Sequence, residues 1–253
     1  MGNESGLSLS KEKISTILLD IEGTTTPIAF VYEVLFPFVR SCVKDYLEKH
    51  CEPAVFEETL SRLRSEHDAD LGQNLNPPAL ITGSVPEIID SVVAYVHWLM
   101  DRDRKSTGLK GLQGKIWEQG YADGRLRSRV FADVLPAFAQ WHTAGLNLSI
   151  FSSGSILAQK LLFAHTEVGD LTTFLDCYFD TTTGPKTVAE SYCRIAAELH
   201  RAAAGTLFIS DVVAELDAAQ QAGMKTLLCV RPGNHPQTLV HTHQSIHSFA
   251  EVT

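Results

Sequence analysis

The sequence predicts an α/β fold, a Rossmann-like parallel sheet core that carries an inserted helical cap domain. Three observations support this fold class. From residue 130 onward, apolar runs of strand length alternate with segments of helical periodicity, which is typical of βαβ units on a parallel sheet. An isolated apolar strand near the N-terminus is separated from these units by residues 27–129, where the apolar spacing is helical. The 253 residues, 44% of them hydrophobic, suffice for one large core and a smaller second domain.

The first strand, residues 17–19, is wholly apolar, and Gly23 and the threonine run at 24–26 predict that the chain turns soon after it. Because its neighbours in sequence are helical, this strand must find its sheet partners later in the chain. Helical spacing continues through 27–129, interrupted by a loop at 71–84 that contains two adjacent prolines. We therefore expect residues 27–129 to leave the core and rejoin it as a helical cap.

The second half of the chain supplies the remaining core elements. The predicted strands are residues 146–151, 206–210 and 225–230, and the predicted helices are residues 134–143, 156–165, 187–200 and 213–222. Residues 10–26 and 130–234 are thus expected to form the α/β core. The polar, His-rich residues 235–253 are expected to be a peripheral C-terminal segment.

Composition excludes several classes of protein. The formal net charge is -9 at pH 7 and no basic stripe stands out, which argues against nucleic-acid binding. No apolar run approaches the ~20 residues that a membrane span needs. The five cysteines form no C-x-x-C pair, which is typical of reduced thiols in a cytosolic protein. We expect a cytoplasmic monomer, with access to the nucleus also open if the source is eukaryotic.

Polar side chains follow the predicted strands at their carboxyl ends, where ligands bind in parallel α/β sheets. They comprise three acids, two hydroxyls and one ammonium, namely Asp20, Glu22, Asp211, Ser152, Ser153 and Lys186. Carboxylates are the ligands that Mg²⁺ prefers, and a metal with a placed cation can neutralise a phosphate. The sequence therefore predicts a magnesium and phosphate site at this edge of the sheet.

The order of these motifs resembles the haloacid-dehalogenase superfamily of phosphatases, and within it the acireductone synthase family, the enolase-phosphatases of methionine salvage. The segments that carry the closer resemblance lie between residues 14 and 234: they are residues 18–28, 35–37, 112–114, 151–155, 158–163, 178–181 and 230–234. The superfamily order alone is moderately specific, and the whole set is highly specific.

This resemblance implies a role for each site residue. Asp20 would be the nucleophile that forms an aspartyl phosphate, and Lys186 would supply positive charge to that reaction. One Mg²⁺ per chain would be held by Asp20, Glu22 and Asp211. The catalytic set is then Asp20, Glu22 and Lys186, and phosphate would be bound by Lys186 together with Ser152 and Ser153.

The resemblance also implies the substrate, 2,3-diketo-5-methylthiopentyl-1-phosphate. It would be enolised and then dephosphorylated to the acireductone 1,2-dihydroxy-3-keto-5-methylthiopentene. One alternative is a capped phosphatase of another small phosphate ester, without enolase activity. A phospho-ligand binder without catalysis is a further alternative, which the intact set of acids and lysine opposes. A dehalogenase is another, but the three clustered acids require a metal that carbon–halogen displacement does not need.

Several residues have a second interpretation. Glu22 departs from the Asp that is commoner in the superfamily, and it could transfer protons or be a solvated acid at a turn. Glu215 could orient a metal-bound water or only favour the dipole of its helix. Ser152 and Ser153 could cap the following helix. His241, His243 and His247 have metal-compatible spacing, but a solvated tail is the simpler interpretation.

Overall fold

A computed structural model of the chain describes residues 7–51, 53–104, 106–236 and 241–253. The chain forms two compact units. One unit reaches to Val31 and resumes at Arg127, and the other is Tyr32–Leu126. Each unit is described by itself below.

The first unit is built on a parallel sheet, which confirms the predicted α/β class. Over the residues that the structure describes, this sheet has six strands in the order β3-β2-β1-β4-β5-β6. The strands are β1 (Thr16–Leu19), β2 (Asn147–Phe151), β3 (Cys177–Phe179), β4 (Thr206–Ser210), β5 (Lys225–Cys229) and β6 (Gln244–Ile246).

The strand order places β1 at the centre of the sheet and makes a switch point beside it. Leu19 pairs with Ile150 of β2 on one side and with Ile209 of β4 on the other. The chain adds β2 and β3 on one side of β1 and then crosses to add β4, β5 and β6 on the other. Ligands of open α/β sheets bind outside the carboxyl ends of the strands at such a point. The residues that follow β1 and β4 therefore flank the expected site.

Helices cover both faces of the sheet, so β1 is buried on both sides and its sequence is continuously apolar rather than alternating. The helices are α6 (Val134–Thr143), α7 (Ile156–Ala164), α8 (Ala189–Glu198) and α9 (Val213–Gln221). Ile17 and Leu19 belong to a core cluster with Trp141 of α6. Leu18 points to the opposite face and belongs to a second cluster with Tyr192 of α8.

The second unit is helical. A turn of helix α1 (Ile28–Phe30) and a π-helical turn, Val31–Leu35, lead into it. Its helices are α2 (Phe36–Lys49), α3 (Pro53–Gly72), α4 (Val85–Asp101) and α5 (Thr107–Ala122). An ion pair lies inside it, where Asp70 is 2% exposed, binds Arg104 and accepts a 2.8 Å hydrogen bond from the Tyr95 hydroxyl. That residues 27–129 act as a cap stays a prediction.

The expectation of a peripheral C-terminal segment is wrong for residues 241–253. Ile246, Phe249 and Val252 are at most 1% exposed, and β6 extends the sheet beside β5. The Trp141 indole also donates a 3.1 Å hydrogen bond to the Val252 carbonyl. Three apolar residues spaced among polar ones made too weak a pattern to reveal this packing. Residues 237–240, also part of the predicted segment, lie outside the described residues.

The interpretation of the histidines as a solvated tail is wrong for His243, whose side chain is fully buried. Its ring binds the Thr226 hydroxyl at 2.8 Å and Asp217 at 2.9 Å. These two bonds attach β6 to β5 and α9, and they satisfy both ring nitrogens. None of the helices in the described part of the chain is long and apolar enough to cross a membrane.

Candidate active site

Asp20 is the first residue after β1, and the sheet itself fixes its backbone. Its N–H donates to the Ile209 carbonyl at 3.0 Å, which continues the hydrogen bonding between β1 and β4. The side chain is buried, and its Oδ2 accepts a 3.3 Å hydrogen bond from the Thr24 hydroxyl. Asp20 is therefore held on a rigid element, with its carboxylate at the carboxyl edge of the sheet.

The turn after Asp20 closes on the Ile21 carbonyl, which accepts hydrogen bonds from the backbone N–H groups of Thr24, Thr25 and Thr26 at 2.9–3.2 Å. Gly23 in this turn has φ +77°, a conformation that side chains disfavour. A Cβ on Gly23 would also lie 2.7 Å from the Asp211 Cγ. The glycine thus allows Asp211 to approach the turn.

Lys186 is buried and is the cation that contacts Asp20. Its Nζ forms ion pairs with Asp20 Oδ1 and, at 2.6 Å, with Glu215 Oε2. The Tyr192 hydroxyl donates a 2.7 Å hydrogen bond to the Lys186 carbonyl and anchors its backbone. Burial by itself lowers the pKa of Lys186, but the two carboxylates outweigh burial and the net effect is a raised pKa. The ammonium is therefore a fixed positive charge beside Asp20.

Glu215 lies in the first turn of α9, is 9% exposed and contacts Lys186. Its Oε2 also accepts a 3.0 Å hydrogen bond from the Ser210 hydroxyl. Burial raises the pKa of Glu215 to about 7, and the ammonium of Lys186 opposes this shift. Neither sequence interpretation of Glu215 included this contact, which joins it directly to the site.

Asp211 follows β4 and is 5% exposed. Burial, and then the negative charges of Asp20 and Glu215, raise its pKa to about 8. Asp20, Glu22, Asp211 and Glu215 form an acid cluster. Among the Lys and Arg residues that the structure describes, Lys186 forms ion pairs with this cluster, through Asp20 and Glu215. The site thus carries more acid than base, a surplus that a divalent cation would compensate.

Glu22 and Ser152 are brought together from different strand ends. The Ser152 hydroxyl donates to Glu22 Oε2 at 3.4 Å and accepts a 3.1 Å hydrogen bond from the Gly154 N–H. Burial, and then the charge of Asp20, raise the pKa of Glu22. Glu22 is half-buried, and its contact with Ser152 joins it to the site.

Ser155, rather than Ser152 or Ser153, caps helix α7, because its hydroxyl accepts a hydrogen bond from the Ala158 N–H at 3.3 Å. The helix-cap interpretation of the two earlier serines is therefore wrong. Ser152 is fully buried in the site, whereas Ser153 is exposed.

The predicted metal ligands do not form a complete cage of side chains. No group of three or more His, Cys, Asp or Glu side chains among the described residues is arranged to hold a metal ion. This absence does not exclude Mg²⁺, which is usually held by one or two carboxylates and completes its shell with water and phosphate oxygens. The negative charge of Asp20 helps to raise the pKa of Asp211, so these two carboxylates lie near each other.

Sequence reasoning missed the role of Asn234, which lies in the loop after β5. Its Nδ2 donates to the Gly23 carbonyl at 3.0 Å and to the Cys229 carbonyl at 3.2 Å. It thereby ties the turn after Asp20 to the end of β5. The only sequence signal was the membership of Asn234 in the 230–234 segment, which suggested no contact with Gly23.

The chain is similar in sequence and in fold to proteins that are already known. A family model described as haloacid dehalogenase-like hydrolase matches residues 14–223. The chain is 50% identical over 239 residues to enolase-phosphatase E1 of Synechococcus elongatus, covering 94% of this chain and 98% of that protein. It is 44% identical over 224 residues to enolase-phosphatase E1 of Xenopus tropicalis, covering 87% and 86%. The crystal structure of the UTR4 protein of Saccharomyces cerevisiae matches with a TM-score of 0.75 and 33% identity, covering 93% and 98%.

Proposed function

The chain belongs to the haloacid dehalogenase-like hydrolases and, within them, to the enolase-phosphatase E1 family, and from this premise we propose its reaction and the residues that perform it. The substrate is 2,3-diketo-5-methylthiopentyl-1-phosphate. The enzyme enolises this diketone and then removes the phosphate, releasing 1,2-dihydroxy-3-keto-5-methylthiopentene in methionine salvage. It works as a cytoplasmic monomer on a small molecule.

The buried contact between Lys186 and Asp20 is the observation that supports this reaction most directly. A carboxylate and a phosphate repel each other, so an attack of Asp20 on phosphorus requires positive charge at the point of approach. Lys186 supplies that charge without moving, because Glu215 and the backbone bond from Tyr192 hold it.

The residues account for both stages of the reaction. Glu22, with its raised pKa, takes the proton from C1 next to the C2 carbonyl, and the C2 oxygen of the resulting enolate takes a proton from water, which gives the enol. Asp20 then attacks phosphorus, and the bond between phosphorus and the C1 oxygen breaks as Glu22 returns a proton to that oxygen. Water hydrolyses the aspartyl phosphate, which regenerates the Asp20 carboxylate and releases inorganic phosphate.

The acid surplus of the site supports a Mg²⁺ cofactor, one per chain. Asp20, Asp211 and Glu22 would hold it, with Asp20 and Asp211 as the carboxylates best placed to do so. When bound, Mg²⁺ would neutralise the carboxylates and polarise phosphoryl and enolate oxygens. Ser152 and Ser153 would bind phosphate oxygens beside it.

Exposed apolar side chains near the site support a substrate with an apolar tail. They lie at the N-terminal ends of the helices that follow the site residues: Ile156 and Leu157 begin α7, and Val188 and Val212 directly precede α8 and α9. All four are 37–43% exposed. Isolated exposed apolar residues are ordinary, but these four share the carboxyl edge of the sheet. A methylthioalkyl chain would cover such residues while its phosphate reaches Lys186.

The test supplies purified protein and Mg²⁺ with the diketone phosphate and records ultraviolet absorbance and free phosphate together. We expect an absorbance rise from the enol before phosphate appears. Phosphate release without that absorbance would favour the capped phosphatase of another ester. The absence of both signals would contradict the proposed substrate.

A further inference from the structure

The side-chain oxygen of Asn234, Oδ1, lies on the same side of Gly23 as Asp211 and has no hydrogen-bond partner among the described residues. This atom is buried. A buried amide oxygen without a donor is costly and uncommon in folded proteins. This oxygen therefore needs a donor that the described side chains and backbone do not supply.

The two hydrogen bonds from Nδ2 fix which way the amide points. The Gly23 and Cys229 carbonyls can only accept, so the nitrogen of the Asn234 amide must face both of them. Reversing the amide would place Oδ1 against two carbonyl oxygens and lose both bonds. The orientation of Oδ1 follows from these contacts.

Oδ1 points to the side of Gly23 where Asp211 lies. A Cβ built on Gly23 would stand 3.0 Å from Asn234 Oδ1 and 2.7 Å from Asp211 Cγ. The unpartnered oxygen and the Asp211 carboxylate therefore approach Gly23 from the same side, which is possible because residue 23 has no side chain. When the Asp211 carboxylate is ionised, as a metal ligand must be, both groups can only accept hydrogen bonds, so neither can satisfy the other.

We propose that Asn234 is a positioning residue for the metal site, whose Oδ1 accepts a hydrogen bond from a water that Mg²⁺ carries beside Asp211. Mg²⁺ dehydrates reluctantly and usually keeps several of its waters, which are donors toward the protein. Such a water would supply the donor that Oδ1 lacks. Outer partners of this kind orient the first ligands and typically change metal affinity by about 10- to 100-fold when they are removed.

Two variants at position 234 separate this role from a purely structural one. Asn234→Ala loses both the Nδ2 bonds to the carbonyls and the acceptor, whereas Asn234→Asp loses the Nδ2 bonds but keeps an acceptor oxygen. If only the tether to Gly23 matters, Asn234→Ala should lower stability and leave the Kd for Mg²⁺ unchanged. If the acceptor matters, the two should differ in metal affinity.

The inference rests on the proposed Mg²⁺ cofactor, so the measurement is Mg²⁺ binding by isothermal titration calorimetry, with Tm recorded in EDTA and in saturating Mg²⁺. We expect Asn234→Ala to raise the Kd for Mg²⁺ about 10- to 100-fold and to shrink the Mg²⁺-induced rise in Tm. Asn234→Asp should bind Mg²⁺ at least as tightly as the wild type. If the alanine variant does not fold, Asn234→Leu, which has a similar volume and no polar group, gives the same comparison.

Three results would overturn the inference. An unchanged Kd in Asn234→Ala, or in Asn234→Leu where that replaces it, with a lower Tm in EDTA would make Asn234 a tether only. Equal weakening in the aspartate variant and in the alanine or leucine variant would assign the effect to Nδ2. Wild-type protein that does not bind Mg²⁺ would overturn the proposed cofactor and this inference together, a result distinct from the other two.

Discussion

Glu215 Oε2 lies 2.6 Å from Lys186 Nζ, so the ammonium that contacts Asp20 has a second carboxylate holding it. A lysine with one partner could swing with the phosphate it binds. With two buried partners and an anchored backbone, Lys186 keeps its charge in place throughout a turnover. The predictions below follow from this site and from the fold that supports it.

Replacing the lysine tests the role of this fixed charge. We expect Lys186→Met to lower kcat for phosphate release about 100- to 1,000-fold, since preorganised charge at the reacting group is worth that much in other enzymes. Lys225→Met, at a lysine whose side chain is 50% exposed, is the matched control and should leave kcat unchanged. A loss below about fivefold in Lys186→Met would contradict the role given to Lys186.

Replacing the proposed nucleophile tests the covalent mechanism. Asp20→Asn keeps the size of the side chain and the hydrogen bond from Thr24, so the protein should fold, as circular dichroism would report. Phosphate release should fall by at least about 10⁴-fold, because the amide cannot attack phosphorus. Turnover near the wild-type rate would refute an aspartyl phosphate.

The raised pKa of Asp211 predicts how stability depends on pH when metal is absent. Its ordinary value is 3.8 and its value in the folded protein is about 8. Between these values the folded protein holds a proton that the unfolded chain has lost, so this group lowers stability as pH rises. We expect Tm in EDTA to fall as the pH rises from about 5 to about 8, a range that lies between the two pKa values.

Asp211→Asn should flatten that fall and raise Tm in EDTA at about pH 8 by several degrees, because an amide cannot ionise. The control is Asp90→Asn, since the Asp90 side chain is 61% exposed and its replacement should leave the profile as it is. An Asp211→Asn protein with the wild-type profile would show that Asp211 does not cause this dependence.

The close approach of Asp211 to the turn predicts a strict need for glycine at residue 23. Gly23→Ala would combine an unfavourable positive φ with a clash against Asp211, so we expect it to lower the free energy of unfolding by roughly 2 kcal/mol or more. Gly111→Ala is the control, since Gly111 lies in α5 with open space around it and alanine favours helix. Urea unfolding of both variants measures the difference, and equal stabilities would contradict the prediction.

The buried C-terminal segment predicts a stability cost far from the site. Phe249 is 1% exposed and packs against Trp141, so Phe249→Ala should lower the free energy of unfolding by about 3–5 kcal/mol. Val168→Ala, at a valine that is 46% exposed, should change it little. A small effect of Phe249→Ala would mean that residues 241–253 do not belong to the core in solution.

The elements that sequence alone predicted share a physical reason. Strands β1, β2, β4 and β5 are covered on both faces, so each is a largely continuous apolar run that stands out from its surroundings. Strands β3 and β6 have three residues each and were missed, because so short a strand has no periodicity to detect. Pairing with a neighbouring strand, and not local composition, creates them.

The sequence by itself determined which residues end the central strands, and therefore that Asp20 and Asp211 lie at one edge of the sheet, since parallel strands end together. Only the tertiary structure decided that Glu215 holds Lys186, that Ser152 contacts Glu22 and that Asn234 reaches Gly23. The last pair is 211 residues apart in the chain. Such contacts depend on the packing of separate loops at the sheet edge, and no local pattern of residues encodes them.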